Sequence, residues 1–335
     1  MKAFVVERYG DADTVQAREM PDPTVGDDDV LVRIHAASVN PLDLKIRSGD
    51  LKAILPYRAP FVLGNDLAGT VAAVGSRVTR FAVGDDVYAR PDQNRIGAFA
   101  EFIAMHQDDV AAKPVTLTME EAASIPLVGL TAWQALVERA NLRPGQKVLI
   151  HAGAGGVGTI AIQLAKHLGA HVTTTASSAK TDLVKGLGAD VVVDYTKQAF
   201  ETVLRDYDVV LDTVGGDTLD KSLQVLKPGG IVISIAGPPD PAFARQAGAN
   251  PLIRLAIAAL SFRVRQRARR HRVRYSFLFM RASGDQLRQL TTLLDAGTIR
   301  PVVDRAFDFA STREALAHVE QGRAKAGKVV VRMTS

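Results

Sequence analysis

Three glycines, Gly153, Gly155 and Gly158, stand in the spacing G-x-G-x-x-G within the stretch VLIHAGAGGVGTIAIQLAKHLGA, residues 148–170. The residues before them read as a short apolar strand and those after as an amphipathic helix. In that setting the first glycine permits a tight turn. The second lets backbone approach a pyrophosphate, and the third lets helix pack on strand. Free amides and the positive dipole at the start of the helix would then bind phosphate oxygens. The chemistry implied is binding of a dinucleotide.

Which dinucleotide is decided near the end of the next strand, where sites for NAD place an Asp or Glu on the ribose 2′-hydroxyl. Here the chain runs from His171 to Lys180 with no acid until Asp182. Ser177, Ser178 and Lys180 suit a 2′-phosphate, which hydroxyl donors and an ammonium attract and a carboxylate would repel. A plain helix N-cap is the other reading of the serines, and both roles are compatible. The expected cofactor is NADPH rather than NADH.

The elements that position these residues fall into two groups. Up to about Ala123 the chain reads as short strands and glycine-rich turns, a small, strongly bent β-barrel. From Ser124 strands and helices alternate, which implies an α/β domain with a doubly wound parallel sheet. Expected strands include Lys147–His151, His171–Thr175, Val191–Val193, Val209–Asp212 and Ile231–Ile235. Expected helices include residues 131–140, 158–168 and 181–187, then 284–296 and 311–321 ahead of a closing strand at Lys328–Arg332. The 335 residues suffice for two cores. The absence of cysteine removes disulfides, thiolate metal sites and cysteine nucleophiles. With no apolar run of membrane-spanning length and no leader-like start, the expected compartment is the cytoplasm.

The isoelectric point of about 9.4 has a local origin. Between Arg263 and Arg274 lie seven arginines and no acid; without those seven charges the formal net charge of +5 becomes −2. A solvated lid or helix face is the favoured reading, with Ile253–Phe262 as apolar cover for a cleft. Contact with a membrane surface or nucleic acid through this run stays open but is not favoured.

Taken together, Gly64-x-x-x-x-Gly69-x-Val71-x-x-Val74-Gly75, Val83-Gly-Asp-Asp-Val87, Gly129-Leu-Thr-Ala132, the glycine turn, Leu187-Gly-Ala-Asp190 and Gly327-Lys-Val-Val330 resemble the medium-chain dehydrogenase/reductase superfamily, in its zinc-independent quinone oxidoreductase branch. Tyr275-Ser-Phe-Leu-Phe-Met280 with Asp295–Pro301 is most similar to the subgroup of the reticulon-interacting mitochondrial reductase. The resemblance implies a Rossmann domain, residues 124–274, and a GroES-like catalytic domain, residues 1–123 and 275–335. Where metal-dependent relatives carry a catalytic Cys and a Gly-His-Glu, this chain has Asn40 and Gly64-Asn65-Asp66, so no zinc is expected.

By the same resemblance, Lys180, Tyr195 and Arg323 would surround the 2′-phosphate. Gly156, Val157 and Gly158 would offer amides to the pyrophosphate, and Thr131 would lie near the nicotinamide ribose. Packing of Tyr195, solvation of Arg323 and helix capping by Thr131 are the plainer alternatives. The implied reaction delivers hydride to a quinone, or to the β-carbon of an enone, in a cleft between barrel and sheet. Negative charge then develops on oxygen, where donors lower the barrier. Asn40 is the foremost donor candidate, with Lys45, Arg47 and Tyr57 as further groups to polarise or protonate the acceptor; Asp43 would orient one of them or, as readily, cap a turn. His35, His106, His151, His167 and His171 show no metal-ligand spacing and read as structural or surface residues. A homodimer is expected through Ile231–Gly237 as a sheet edge. A non-catalytic NADPH-binding protein, with RNA or a membrane surface as partner, is the alternative from another class.

Overall fold

The computed structural model describes residues 1–52 and 54–333. It divides into two compact units, Met1–Leu130 with Arg281–Ser335, and Thr131–Met280.

The second unit is built on a six-stranded parallel sheet. From edge to edge its strands are Val191–Asp194, His171–Ala176, Lys147–Ile150, Tyr207–Asp212, Leu226–Ser234 and Arg274–Phe277. All its pairings are parallel. Val148, Leu149, Ile150, Val210, Leu211, Val232 and Ile233 are fully buried, as continuous apolar strands covered on both faces must be. The doubly wound Rossmann sheet is therefore present. Ile231–Gly237, expected at the edge, is not there. Leu226–Ser234 is paired on both sides, and the outer strand is Arg274–Phe277. That strand follows the basic run, so alternation of apolar residues alone did not reveal it, and it extends the unit to Met280.

The first unit centres on the eleven-residue strand Asp29–Val39, which pairs with Leu67–Val74, Phe102–His106 and Lys328–Arg332. Register shifts at Leu31/Val32 and Ile34/Ala36 mark bulges, which bend a strand and tighten its twist. Gly69 sits at this bend, where an added Cβ would lie 2.0 Å from the Arg33 carbonyl oxygen. The pairing with Lys328–Arg332 matters most for function, because it carries the chain's last strand to the residues that follow Val39. Among the described residues no helix is long and apolar enough to cross a membrane.

Candidate active site

In the second unit, the strand Lys147–Ile150 runs into the glycine turn and the turn into helix Gly156–His167. Ala152 takes a left-handed φ of 51°, a conformation that costs a non-glycine residue free energy. The three glycines do different work. A Cβ on Gly153 would stand 2.1 Å from Thr174 Oγ1, and one on Gly158 2.3 Å from the Ala152 carbonyl oxygen. The fold itself demands those two. Gly155 has an ordinary φ of −77°, and its Cβ would meet nothing closer than the Ala152 oxygen at 3.2 Å. That one contact is tight but far milder than the clashes at Gly153 and Gly158, and the bare backbone leaves the turn open to approach. Thr159 N bonds to Gly155 O, and the preceding amides of Gly156, Val157 and Gly158 begin the helix with no carbonyl a full turn behind them. This arrangement fits a dinucleotide pyrophosphate.

His151, beside the turn, is buried with Nδ1 3.2 Å from Thr175 Oγ1 and Nε2 2.9 Å from Ser222 Oγ. Burial pushes its pKa down to about 4, and its ring packs edge-on against Phe200. It is a neutral structural residue. At the far end of the neighbouring strand, the Lys180 ammonium has no hydrogen bond or ion pair among the described residues, while its backbone N–H donates to Ser177 O at 2.9 Å. Tyr195 is 63% exposed, so the packed strand-end reading does not hold for it. Ser177 and Ser178 lead into helix Thr181–Gly186 without capping it through their side chains.

The sequence reading missed Asp194. Its Oδ2 accepts from Ser178 Oγ, while its Oδ1 accepts from Thr196 Oγ1 at 2.7 Å and Thr196 N at 2.9 Å. These bonds, that of Ser178 foremost, hold its pKa down at about 2. The Asp-x-Thr spacing is an Asx-turn signal that would have shown Asp194 closing a turn, though not its bond to Ser178.

The first unit carries a buried polar cluster around Asn40. Asn40 precedes helix Pro41–Ser48, and its backbone N–H donates to Asp43 Oδ2 at 2.7 Å. Its side-chain Nδ2 donates to Asp66 Oδ2 at 2.8 Å and to Ser38 O at 3.3 Å, and its Oδ1 accepts from Lys328 Nζ. Both N–H groups of the amide are thus engaged, which corrects the reading of Asn40 as a free donor. Asp66 Oδ2 also accepts from Ser38 Oγ at 2.8 Å and lies 3.2 Å from Lys328 Nζ, and its Oδ1 accepts from Leu127 N at 2.7 Å. Asn65 Nδ2 donates to Asp43 Oδ1 at 2.7 Å. Burial pushes the Asp43 carboxyl up to about 6 and lowers the Lys328 ammonium.

The other polarising candidates diverge. Tyr57 is half-buried and donates its hydroxyl proton to Gln93 O, and burial raises its pKa to about 12. Arg47 is buried and pairs with Glu320 at 2.5 Å, with Nε on Gly10 O at 3.3 Å. It holds the helix in place and is not available to a ligand. Lys45, on the same helix, is exposed. Arg323 is exposed after helix Thr312–Glu320 of this unit, and Thr131 is buried in helix Pro126–Trp133 at the start of the second unit. Sequence reasoning did not single out Lys328, Asp66 or Arg90. Arg90 is 1% exposed, donates from Nη1 to Pro91 O at 2.8 Å, and has a buried Nε without a partner. Nothing in the local pattern marks a lysine in a closing strand or an arginine after a strand as buried.

Comparison with known proteins bears on both units. The family description "Alcohol dehydrogenase GroES-like domain" matches residues 26–115, and "Zinc-binding dehydrogenase" matches residues 187–331. Among the described residues no group of three or more His, Asp or Glu is placed to hold a metal ion. The chain is 36% identical to the mitochondrial NAD(P)H oxidoreductase RTN4IP1 of Danio rerio, over 99% of this chain and 91% of that protein. It is 35% identical to the chloroplastic NADPH-dependent alkenal/one oxidoreductase of Arabidopsis thaliana, over 99% and 79%. The quinone oxidoreductase structure from Coxiella burnetii superposes with a TM-score of 0.87 at 32% identity, covering 100% of this chain and 99% of that one. With these relatives spanning both units, the chain belongs to the zinc-independent quinone oxidoreductase branch of the medium-chain dehydrogenases/reductases and is an NAD(P)H-dependent oxidoreductase of the quinone and alkenal reductase type.

Proposed function

We propose that the chain is an NADPH-dependent reductase of quinones, with the cytoplasm as its compartment. The carrying observation is the glycine turn ahead of helix Gly156–His167, where a Cβ at Gly155 meets a single backbone oxygen at 3.2 Å and where a bound pyrophosphate would need bare backbone. When bound there, NADPH supplies the hydride. The amides of Gly156, Val157 and Gly158 would hold its pyrophosphate, and Thr131 would contact the ribose beside the nicotinamide. Lys180, with Ser177, Ser178 and Tyr195, would hold the 2′-phosphate. In favour of the phosphate is the unpaired ammonium of Lys180; against it stands Asp194, bonded to Ser178.

The choice of a quinone rests on proton supply. Asn40 is fully engaged and Tyr57 gives its proton to Gln93 O. Among the groups proposed to protonate an acceptor, Lys45 alone is exposed and unpaired among the described residues. A quinone asks little of an acid, since its reduced anion is a weak base, whereas an enone needs a proton on carbon. The alkenal reading is kept because the Arabidopsis relative carries that activity in its name. Assembly as a homodimer belongs to the same proposal, now through the edge strand Arg274–Phe277.

The test is cofactor oxidation, followed by nicotinamide absorbance, with a soluble benzoquinone and with a short enone, each run with NADPH and NADH. Rapid turnover of NADPH with the quinone supports the proposal. Turnover with the enone alone transfers it to alkenals, and equal rates with NADH remove the phosphate site.

A further inference from the structure

From residue 241 to residue 284 the chain contains ten arginines and no acidic residue. Within it, helix Pro251–Leu260 buries none of its residues. Leu252 is 79% exposed, Leu255 69%, Leu260 64% and Phe262 54%. An apolar helix left in water by an otherwise well-packed unit is a surface awaiting a partner. Within their own unit, Leu252, Ile253, Leu255, Leu260 and Phe262 stand exposed. The next helix, Phe262–Arg270, is by contrast firmly seated. Val264 and Ala268 are buried in the core of the unit with Leu219 and Leu223, and Arg267 pairs with Asp220. Arg265 reaches back to Ala258 O at 2.9 Å, tying the two helices together. Arg263, Arg269, Arg270, Arg272 and Arg274 are exposed and have no carboxylate partner among the described residues.

We propose that this helix pair docks the enzyme on an anionic phospholipid surface, with Leu252, Leu255, Leu260 and Phe262 entering the headgroup–acyl boundary and Arg263, Arg269 and Arg270 meeting lipid phosphates. The combination of exposed large apolar residues and a dense, acid-free cationic run is what an interfacial helix requires. Charge complementarity selects this occupant. A second copy docked through helix Pro251–Leu260, as distinct from the sheet edge, would set Arg263, Arg269 and Arg270 against their own copies about a two-fold axis. Nucleic acid would satisfy the arginines but leave the leucines in water, and Phe262 is the one strongly exposed aromatic side chain in the run. The inference stands apart from the choice of acceptor.

The experiment is co-sedimentation of the full chain with vesicles of phosphatidylcholine containing phosphatidylglycerol, beside vesicles of phosphatidylcholine alone. The expected result is binding to the anionic vesicles only, weakened by salt. Arg263→Gln/Arg269→Gln/Arg270→Gln should lower the partition coefficient about a hundredfold, at about 1 kcal/mol for each charge near the surface. Leu252→Ser/Leu255→Ser should lower it about tenfold per leucine. All five positions are exposed, so both variants should keep the wild-type thermal transition and NADPH affinity. No binding of the wild type to anionic vesicles overturns the proposal. So does a leucine variant that binds as tightly as wild type, because the attraction is then purely ionic. A wild type that ignores vesicles but self-associates until the leucines are changed assigns the face to a second copy and overturns it too.

Discussion

Replacing Lys328 by Met tests the buried cluster that organises the first unit. Lys328 Nζ is 3.2 Å from Asp66 Oδ2, with side-chain exposures of 6% and 0%, and it also donates to Asn40 Oδ1. Methionine fills nearly the same volume, so little of the effect would come from a cavity. Removing one partner of a buried ion pair costs about 3–5 kcal/mol. Asp66 keeps the Ser38, Asn40 and Leu127 donors, which moderates this. The orphaned Asn40 oxygen adds about 1–3 kcal/mol. A loss of about 4 kcal/mol at pH 7 is expected, measured as a lowered urea midpoint at unchanged slope. The loss should shrink toward pH 5. Without the ammonium, which holds the buried Asp43 carboxyl down, that carboxyl rises further and takes up a proton in the folded state that the unfolded chain does not bind there, and stability then falls as pH rises. Adding Asp66→Asn to Lys328→Met should recover about 2 kcal/mol through coupling of the two sites. A loss below about 1 kcal/mol, or one that is the same at pH 5 and pH 7, would refute the reasoning.

Three further outcomes follow from the geometry. Gly155→Val should abolish NADPH binding, measured by fluorescence titration, while lowering the thermal transition less than the same change at Gly153, because the new Cβ meets the Ala152 oxygen at 3.2 Å in the first case and Thr174 Oγ1 at 2.1 Å in the second. Lys180→Ala should raise the KM for NADPH about tenfold or more and spare that for NADH, since a charged hydrogen bond is worth about 1.5–3 kcal/mol; equal changes in steady-state kinetics would remove its phosphate role. His151, held down at about 4, binds a proton in the unfolded chain but not in the folded one, so stability of the parallel sheet should drop about 2 kcal/mol from pH 7 to pH 5. Asp43, raised to about 6, has the opposite sign and should strengthen Asp29–Val39 by about 1 kcal/mol over the same interval; hydrogen exchange corrected for intrinsic rates reads both, and His151→Gln should abolish the first alone.

Much of the second unit was legible because its signals are local. A strand, a glycine turn and a helix are contiguous in Val148–Ala170, and hydrophobic period and turn chemistry act over a few residues. The helix expected from residue 158 begins at Gly156, a shift within the usual fraying of such boundaries. The outer strand Arg274–Phe277 was hidden because it follows a charged helix and pairs with a strand some forty residues earlier. Helix Pro251–Leu260 was read as a cover because apolar residues are ordinarily buried; its exposure is a property of what fails to pack against it.

By itself the sequence determined the nucleotide-binding turn, the absence of thiolate chemistry and the doubly wound sheet, since residue types at short spacing dictate each of these. Only the tertiary structure decided what Asn40 does. Its amide is occupied by Asp66, 26 residues away, and by Lys328, 288 residues away. It likewise decided that a side chain would clash severely at Gly153 and Gly158 and only mildly at Gly155. The reason is that hydrogen bonds and steric contacts depend on distance in space, and the chain sets such distances locally only within a turn or a single element.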